Sequence, residues 1–239
     1  MFEPTHVLWY GSLGISLLFC INLLWTGLAK RYPVFTVYVA CSLLGSIPAL
    51  YFMAKANGPR LPLAYTYFWL WSEPILLLLQ TGVALEIHAA LWKDEASIAR
   101  SLRPLLFFSL LTAIVFAATP IRSELLRSGM FRLEMVMQFE FVAKRYISTV
   151  LAIFLGLSAL LYLVAIRNSL RSVLLRHESM LAVSFGIYAV AYFVANMGWS
   201  SRSSVNQYMA AAFTLCFVLW ISVARPQGRS EEKNSAAGA

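Results

Sequence analysis

Glu73 lies inside the long apolar stretch from Tyr65 to Trp92, YTYFWLWSEPILLLLQTGVALEIHAALW. About 20 apolar residues cross the ~30 Å hydrocarbon core of a bilayer, so this carboxyl group is expected within a membrane. There it costs at least ~2.5 kcal/mol unless a partner, a protein interior or water compensates, or a proton neutralises it. At helical spacing Thr66, Trp69, Glu73, Gln80 and Ala84 fall within about 40° of one line. His88 drifts from that line and Glu86 points almost the opposite way. One polar seam therefore crosses an otherwise apolar helix. Pro74 has no N–H, leaves the carbonyl of Leu70 without its helical donor, and is expected to kink the helix beside the glutamate.

Groups on other segments must answer that carboxylate. Arg145, Ser148 and Thr149 near the start of a fifth span, Asn196 at the end of a sixth, and Asn206 and Gln207 at the start of a seventh share its expected depth. The residues read as a polar cavity open to the outer face. Its candidate ligand- or ion-binding groups are Glu73, Gln80, Trp69, Arg145, Asn196 and Gln207. Arg145 is the expected partner of Glu73, because a guanidinium offers a carboxylate two charge-assisted hydrogen bonds. The plainer alternative is a buried pair that only fixes helix packing. Pro48, in Gly45-Ser46-Ile47-Pro48, frees the carbonyl of Leu44 and predicts a second kink. Asn22 and Ser158 are expected to make interhelical hydrogen bonds.

Patterns for catalysis are sparse. Asp94 is the only aspartate, so paired intramembrane aspartates are excluded. His6, His88 and His177 lack the i, i+4 spacing that sets two imidazoles on one metal. Gly156-Leu157-Ser158 is not followed by the glycine of a nucleophile elbow. No phosphate-cradling glycine loop occurs. The expectation is a non-enzymatic protein without metal or cofactor.

The elements that must position these residues follow from composition. Of 239 residues 60% are hydrophobic and 13% charged, against ~25% charged in soluble domains, so a soluble fold is excluded. The predicted fold is all-α: a polytopic seven-helix membrane bundle in one domain, 1–224. Its spans are 7–28, 34–54, 65–91, 105–118, 142–166, 180–197 and 205–224. Ser101 is expected to cap the fourth span, with Pro104 in its first turn. The stretch 120–141 mixes charges with large apolar residues at helical spacing and predicts an interfacial amphipathic helix, or an extension of the next span. Residues 225–239 read as a disordered cytoplasmic tail.

Lys30, Arg31, Lys93, Arg100, Arg103 and the basic residues of 167–176 and 225–233 fall on the side of the C-terminus. Basic residues on the other side belong mostly to one long connection, 122–145. The positive-inside rule then puts the N-terminus outside and the C-terminus in the cytoplasm of a plasma or inner membrane. Tryptophans and tyrosines near span ends read as an interfacial belt. Cys20, Cys41 and Cys216 read as small apolar fillers rather than a disulfide or metal framework. The expected partner of the basic excess is the bilayer, not nucleic acid, since no basic stripe is interleaved with polar surface.

Trp69-Leu70-Trp71-Ser72-Glu73-Pro74 and the leucines that follow resemble the third-helix pattern of microbial rhodopsins, Asp-Trp-x-x-Thr-Thr-Pro. Phe68 stands at that family's aspartate, and no lysine between 205 and 224 can form a retinal Schiff base. A light-driven pigment is excluded. Seven-helix sugar carriers resemble the chain in helix count alone, since Pro226-Gln227 lies in the tail. The reading that remains is a membrane protein that binds or senses a small ligand or lipid component around Glu73 and signals to a partner. A proton- or cation-coupled transporter is the first alternative, and an accessory subunit of a membrane complex the second.

Overall fold

A computed structural model of the chain describes residues 4–55, 63–93, 95–128, 133–165, 173–197 and 202–223. Among them every element is a helix: α1 Pro4–Trp25, α2 Leu28–Arg31, α3 Pro33–Lys55, α4 Leu63–Leu91, α5 Ala96–Ser128, α6 Leu133–Ala165, α7 Val173–Asn196 and α8 Arg202–Val223. Four of these helices are long and apolar enough to cross a membrane, over Ala64–Leu91, Arg100–Pro120, Met135–Ala165 and Leu175–Ala195. Shorter apolar runs occupy Tyr10–Trp25, Pro33–Pro48 and Gln207–Ile221. The chain is thus an all-helical protein built for a multi-pass membrane setting.

Local chemistry sets the helix boundaries. Gly27 ends α1 at φ 73°, in the left-handed region where a side chain is disfavoured. Pro33 begins α3, where its missing N–H costs nothing, and Tyr32 before it leaves the helical region at φ −128° and ψ 69°. The first turn of α3 is capped from a distance: Glu86 on α4 accepts the N–H of Val34 at 3.0 Å and of Phe35 at 2.9 Å. A carboxylate at a helix N-terminus satisfies orphan donors and meets the positive end of the dipole. Gly82 makes this approach feasible, since a Cβ there would meet Val34 Cγ1 at 2.9 Å. The side of α4 opposite Glu73 is therefore also in use.

The packing order places α1 between α8 and α3, α3 against α4, α4 against α6 and α7, and α7 between α6 and α8. A ring results. Phe19, Phe35, Phe217 and Trp220 close it across α1, α3 and α8, with Phe19 and Phe217 stacked at 4.8 Å and Phe35 and Trp220 at 4.8 Å. α5 stands outside, chiefly against α6. Its Phe107, Phe108, Leu111, Val115 and Phe116 are exposed, an apolar face that matches lipid rather than water.

Two expectations need correction. No separate interfacial helix spans 120–141: residues up to Ser128 continue α5, while residues from Leu133 begin α6, in agreement with the alternative of an extension of the next span. Each of these helices has 33 residues, about 50 Å at 1.5 Å per residue. That exceeds the ~30 Å apolar core, so mixed polar and apolar residues can remain helical beyond it. Likewise Ser101 does not cap a helix. α5 begins at Ala96, Ser101 donates to the carbonyl of Ser97 at 3.0 Å, and Pro104 lies in the helix interior. Pro48 and Pro74 sit inside unbroken helices. The tail 225–239 lies outside the described residues.

Candidate functional site

The inner face of α4 presents Trp69, Glu73, Leu76, Leu77 and Gln80 to a cavity of about 490 Å³. Ser12 and Ser16 of α1, Tyr38, Ser42 and Ser46 of α3, Phe141, Lys144 and Ser148 of α6, Tyr188 and Tyr192 of α7, and Met209 of α8 complete much of its wall. Most of these positions lie in the first halves of α4, α6 and α8 and the later half of α7, with Ser12 and Ser16 near the middle of α1, Tyr38 to Ser46 spanning the middle of α3, and Gln80 just past the middle of α4. Alternating chain direction brings them together between one end of the bundle and its middle.

The partner of Glu73 is Lys144, not Arg145. Lys144 Nζ lies 2.6 Å from Glu73 Oε2 and 3.5 Å from Glu140 Oε1. Successive residues of a helix diverge by about 100°, and the buried line of α6 runs through Glu140, Lys144, Ser148, Leu151, Leu155 and Ser158. Arg145 falls off that line. Its guanidinium lies 4.6 Å from the ring centre of Tyr146 and 5.9 Å from that of Phe193. The Lys144 ammonium sits in an aromatic cage, 4.4 Å from the ring centre of Trp69 and 5.7 Å from that of Tyr192. Such rings attract a desolvated cation through their negative faces.

Gln80 also faces the cavity. Its Nε2 donates to the Tyr38 hydroxyl at 3.1 Å, tying α4 to α3, while its Oε1 has no hydrogen-bond partner among the described residues. Tyr188 and Tyr192 stack one turn apart at 6.1 Å. Gln207 is half-buried and does not line the cavity. The side chain of Asn196 lies outside the described residues. Pro74 is exposed on the outer side of α4, and Leu70, whose carbonyl it frees, is not part of the cavity wall. Of the six named binding candidates the cavity therefore gathers Trp69, Glu73 and Gln80, and it also gathers Thr66 of the same seam and Ser148 of α6. Lys144, Tyr38, Tyr188 and Tyr192 are additions, and Glu140 meets Lys144 without lining the wall. The signal for Lys144 and Glu140 was the spacing 140, 144, 148, 151, 155 and 158, one helical stripe of α6.

A second polar cluster lies at the other end of the same seam. Ser158 Oγ is 2.8 Å from His88 Nδ1 and accepts the Trp92 indole N–H at 2.9 Å. Glu178 Oε1 is 4.0 Å from His88 Nδ1, and His88, Trp92, Ser158 and Glu178 are all fully buried. Ser158 thus makes the interhelical contacts expected of it. Asn22 does not, since its Nδ2 is buried without a hydrogen-bond partner among the described residues. Ser158 and Glu178 both approach the same ring nitrogen, whereas a serine–histidine–carboxylate relay needs them on opposite ones. This cluster ties α4, α6 and α7 together rather than preparing a nucleophile. From Glu73 to His88 is 15 residues of helix, about 22 Å. Val83, Ala84, Ile87, Leu151, Leu155 and Phe185 form a buried apolar layer between the two clusters.

The cavity can hold a small molecule. Its size falls in the ~300–1,000 Å³ range of ligand sites, and it combines aromatic walls with a few placed polar groups. Among the described residues no group of three or more His, Cys, Asp or Glu side chains could hold a metal. Comparisons with protein families, with characterised proteins and with solved structures find no match for this chain.

Proposed function

We propose that this chain crosses the plasma or inner membrane seven times and binds a small ligand or lipid component in the cavity around Glu73, signalling to a partner at the other face. Three of the seven crossings are α1, α3 and α8, which have 22, 23 and 22 residues, about 33 Å or more. The end of the bundle opposite the cavity holds Lys30, Arg31, Lys93, Arg100 and Arg103. By the positive-inside rule that distribution supports an outward-facing cavity and a cytoplasmic C-terminus.

The observation that carries the reading is the Glu73–Lys144 pair in the wall of a 490 Å³ cavity. A pair serving packing alone is better enclosed, because a low dielectric strengthens it and closes it to competing solvent. Here Glu73 keeps about a fifth of its side chain accessible. A ligand with a polar or charged group can engage it while an apolar portion rests on Trp69, Phe141 and Leu77. The test compares small molecules that copurify with the wild-type chain in native-lipid nanodiscs with those retained by Glu73→Gln and Ser42→Trp. Mass spectrometry should find at least one compound on the wild type that both variants lose while staying folded. Retention of the same compounds by all three would refute the reading.

The transporter alternative is favoured by one feature, the apolar layer that separates the two polar clusters of the α4 seam. A carrier needs such a seal between alternately exposed sites. Uptake into proteoliposomes that depends on Glu73 would select it over a binding protein without flux.

A further inference from the structure

The face of α5 turned away from the bundle holds a groove of about 500 Å³ lined by Arg100, Arg103, Pro104, Phe107, Phe108 and Leu111. It lies at the opposite end of the molecule from the Glu73 cavity and shares no residue with it. Arg100 and Arg103 are three residues apart, hence neighbours on one helical face, and both are exposed. Among the described residues no carboxylate forms an ion pair with either guanidinium. Phe107, Phe108 and Leu111 are 56%, 70% and 60% exposed. These are large apolar groups with nothing from the rest of the bundle over them.

Depth relates the two halves of the groove. The apolar span of α5 begins at Arg100, so the guanidiniums lie at the level where hydrocarbon gives way to headgroups. From Arg100 to Leu111 the helix rises about 16 Å, close to the thickness of one leaflet, half of the ~30 Å core. The groove is therefore cationic at headgroup level and apolar for one leaflet below it. A phospholipid with a net negative headgroup has the complementary profile. Two guanidiniums can share its phosphate oxygens through charge-assisted bonds, and one acyl chain can lie along the two phenylalanines and the leucine. A second copy of this chain, by contrast, would bring like charges together.

We propose that this groove is a binding site for one anionic glycerophospholipid, with its phosphate between Arg100 and Arg103 and an acyl chain against Phe107, Phe108 and Leu111. The full-length chain in detergent micelles is titrated with phosphatidylglycerol or phosphatidylcholine of identical acyl chains. Lipid adducts are counted by native mass spectrometry, and the unfolding midpoint is followed in parallel.

Phosphatidylglycerol should bind in preference to phosphatidylcholine and raise the midpoint more. Arg100→Gln and Arg103→Gln should each weaken phosphatidylglycerol binding about fivefold, the attraction of one basic side chain to an anionic surface. Together they should abolish the preference while leaving phosphatidylcholine binding in place. Phe107→Ser with Phe108→Ser should weaken both lipids alike, and Arg122→Gln, at the other end of α5, should change neither. Equal binding of the two lipids by the wild type overturns the proposal, as does a preference that survives the double arginine replacement. A dimer or copurifying protein displaced by the Phe107 and Phe108 changes, with no lipid preference, would assign the groove to a protein partner instead.

Discussion

Replacing Lys144 should damage this protein far more than replacing Glu73, although the two form one ion pair. The asymmetry comes from Glu140, 3.5 Å from the same ammonium. Glu73→Gln removes one carboxylate and leaves Lys144 its second, and the amide can still accept a hydrogen bond at 2.6 Å. Lys144→Met preserves much of the apolar packing against Trp69 and Phe141 but strands two carboxylates near each other. One of them, Glu140, is only 5% exposed. Removing one partner of a buried pair costs ~3–5 kcal/mol, and that range applies to Lys144→Met. Exchanging a charge-assisted bond for a neutral one costs ~1–2 kcal/mol, and that range applies to Glu73→Gln. Glu140→Gln removes the carboxylate in excess, strands no charge, and should therefore cost clearly less than Lys144→Met. Denaturant titration of each variant in one fixed micelle reads these differences as shifts of midpoint. Equal damage from Lys144→Met and Glu73→Gln, or a loss from Glu140→Gln as large as that from Lys144→Met, would refute the shared-ammonium account.

Three further outcomes test the packing around the site. Glu86→Ala should lower stability by ~2–3 kcal/mol, since it removes two charged-acceptor bonds from the first turn of α3; hydrogen exchange at the Val34 and Phe35 amides should accelerate more than elsewhere in α3. Gly82→Ala should cost ~1–3 kcal/mol by overpacking against Val34, and adding Val34→Ala should recover most of it in the same titration. Ser158→Ala should cost ~1–3 kcal/mol because the buried Trp92 indole N–H loses its acceptor. Its tryptophan emission should shift, while small-molecule retention by the distant cavity should not change.

The helical character of the chain and the presence of several apolar helices of membrane-spanning length were legible from its residues. Apolar runs of spanning length have one stable solution in lipid, where every backbone polar group must be satisfied within its own segment. The same periodicity correctly set Trp69, Glu73 and Gln80 on one inward line of α4, because angular position around a helix is a property of spacing alone. Boundaries were less legible where composition was mixed. A helix can project beyond the bilayer without changing its hydrogen bonding, so composition did not reveal that 120–128 belongs to α5 and 133–141 to α6.

Partner identity was decided by the tertiary structure. Lys144 and Arg145 are adjacent cations, and spacing along α6 becomes informative only when it is known which stripe faces α4 and α7; one step of about 100° gives the pair to lysine and leaves arginine against Tyr146 and Phe193. The same holds for Glu86, which spacing places away from the polar seam and which packing brings to the start of α3. Burial of Glu178 and His88 beside Ser158 likewise joins residues 70 or more positions apart in pairs that no local pattern relates. What each segment is follows from its own residues and the solvent around it. What each side chain meets depends on the rotation and order of helices packed together, which only the folded bundle supplies.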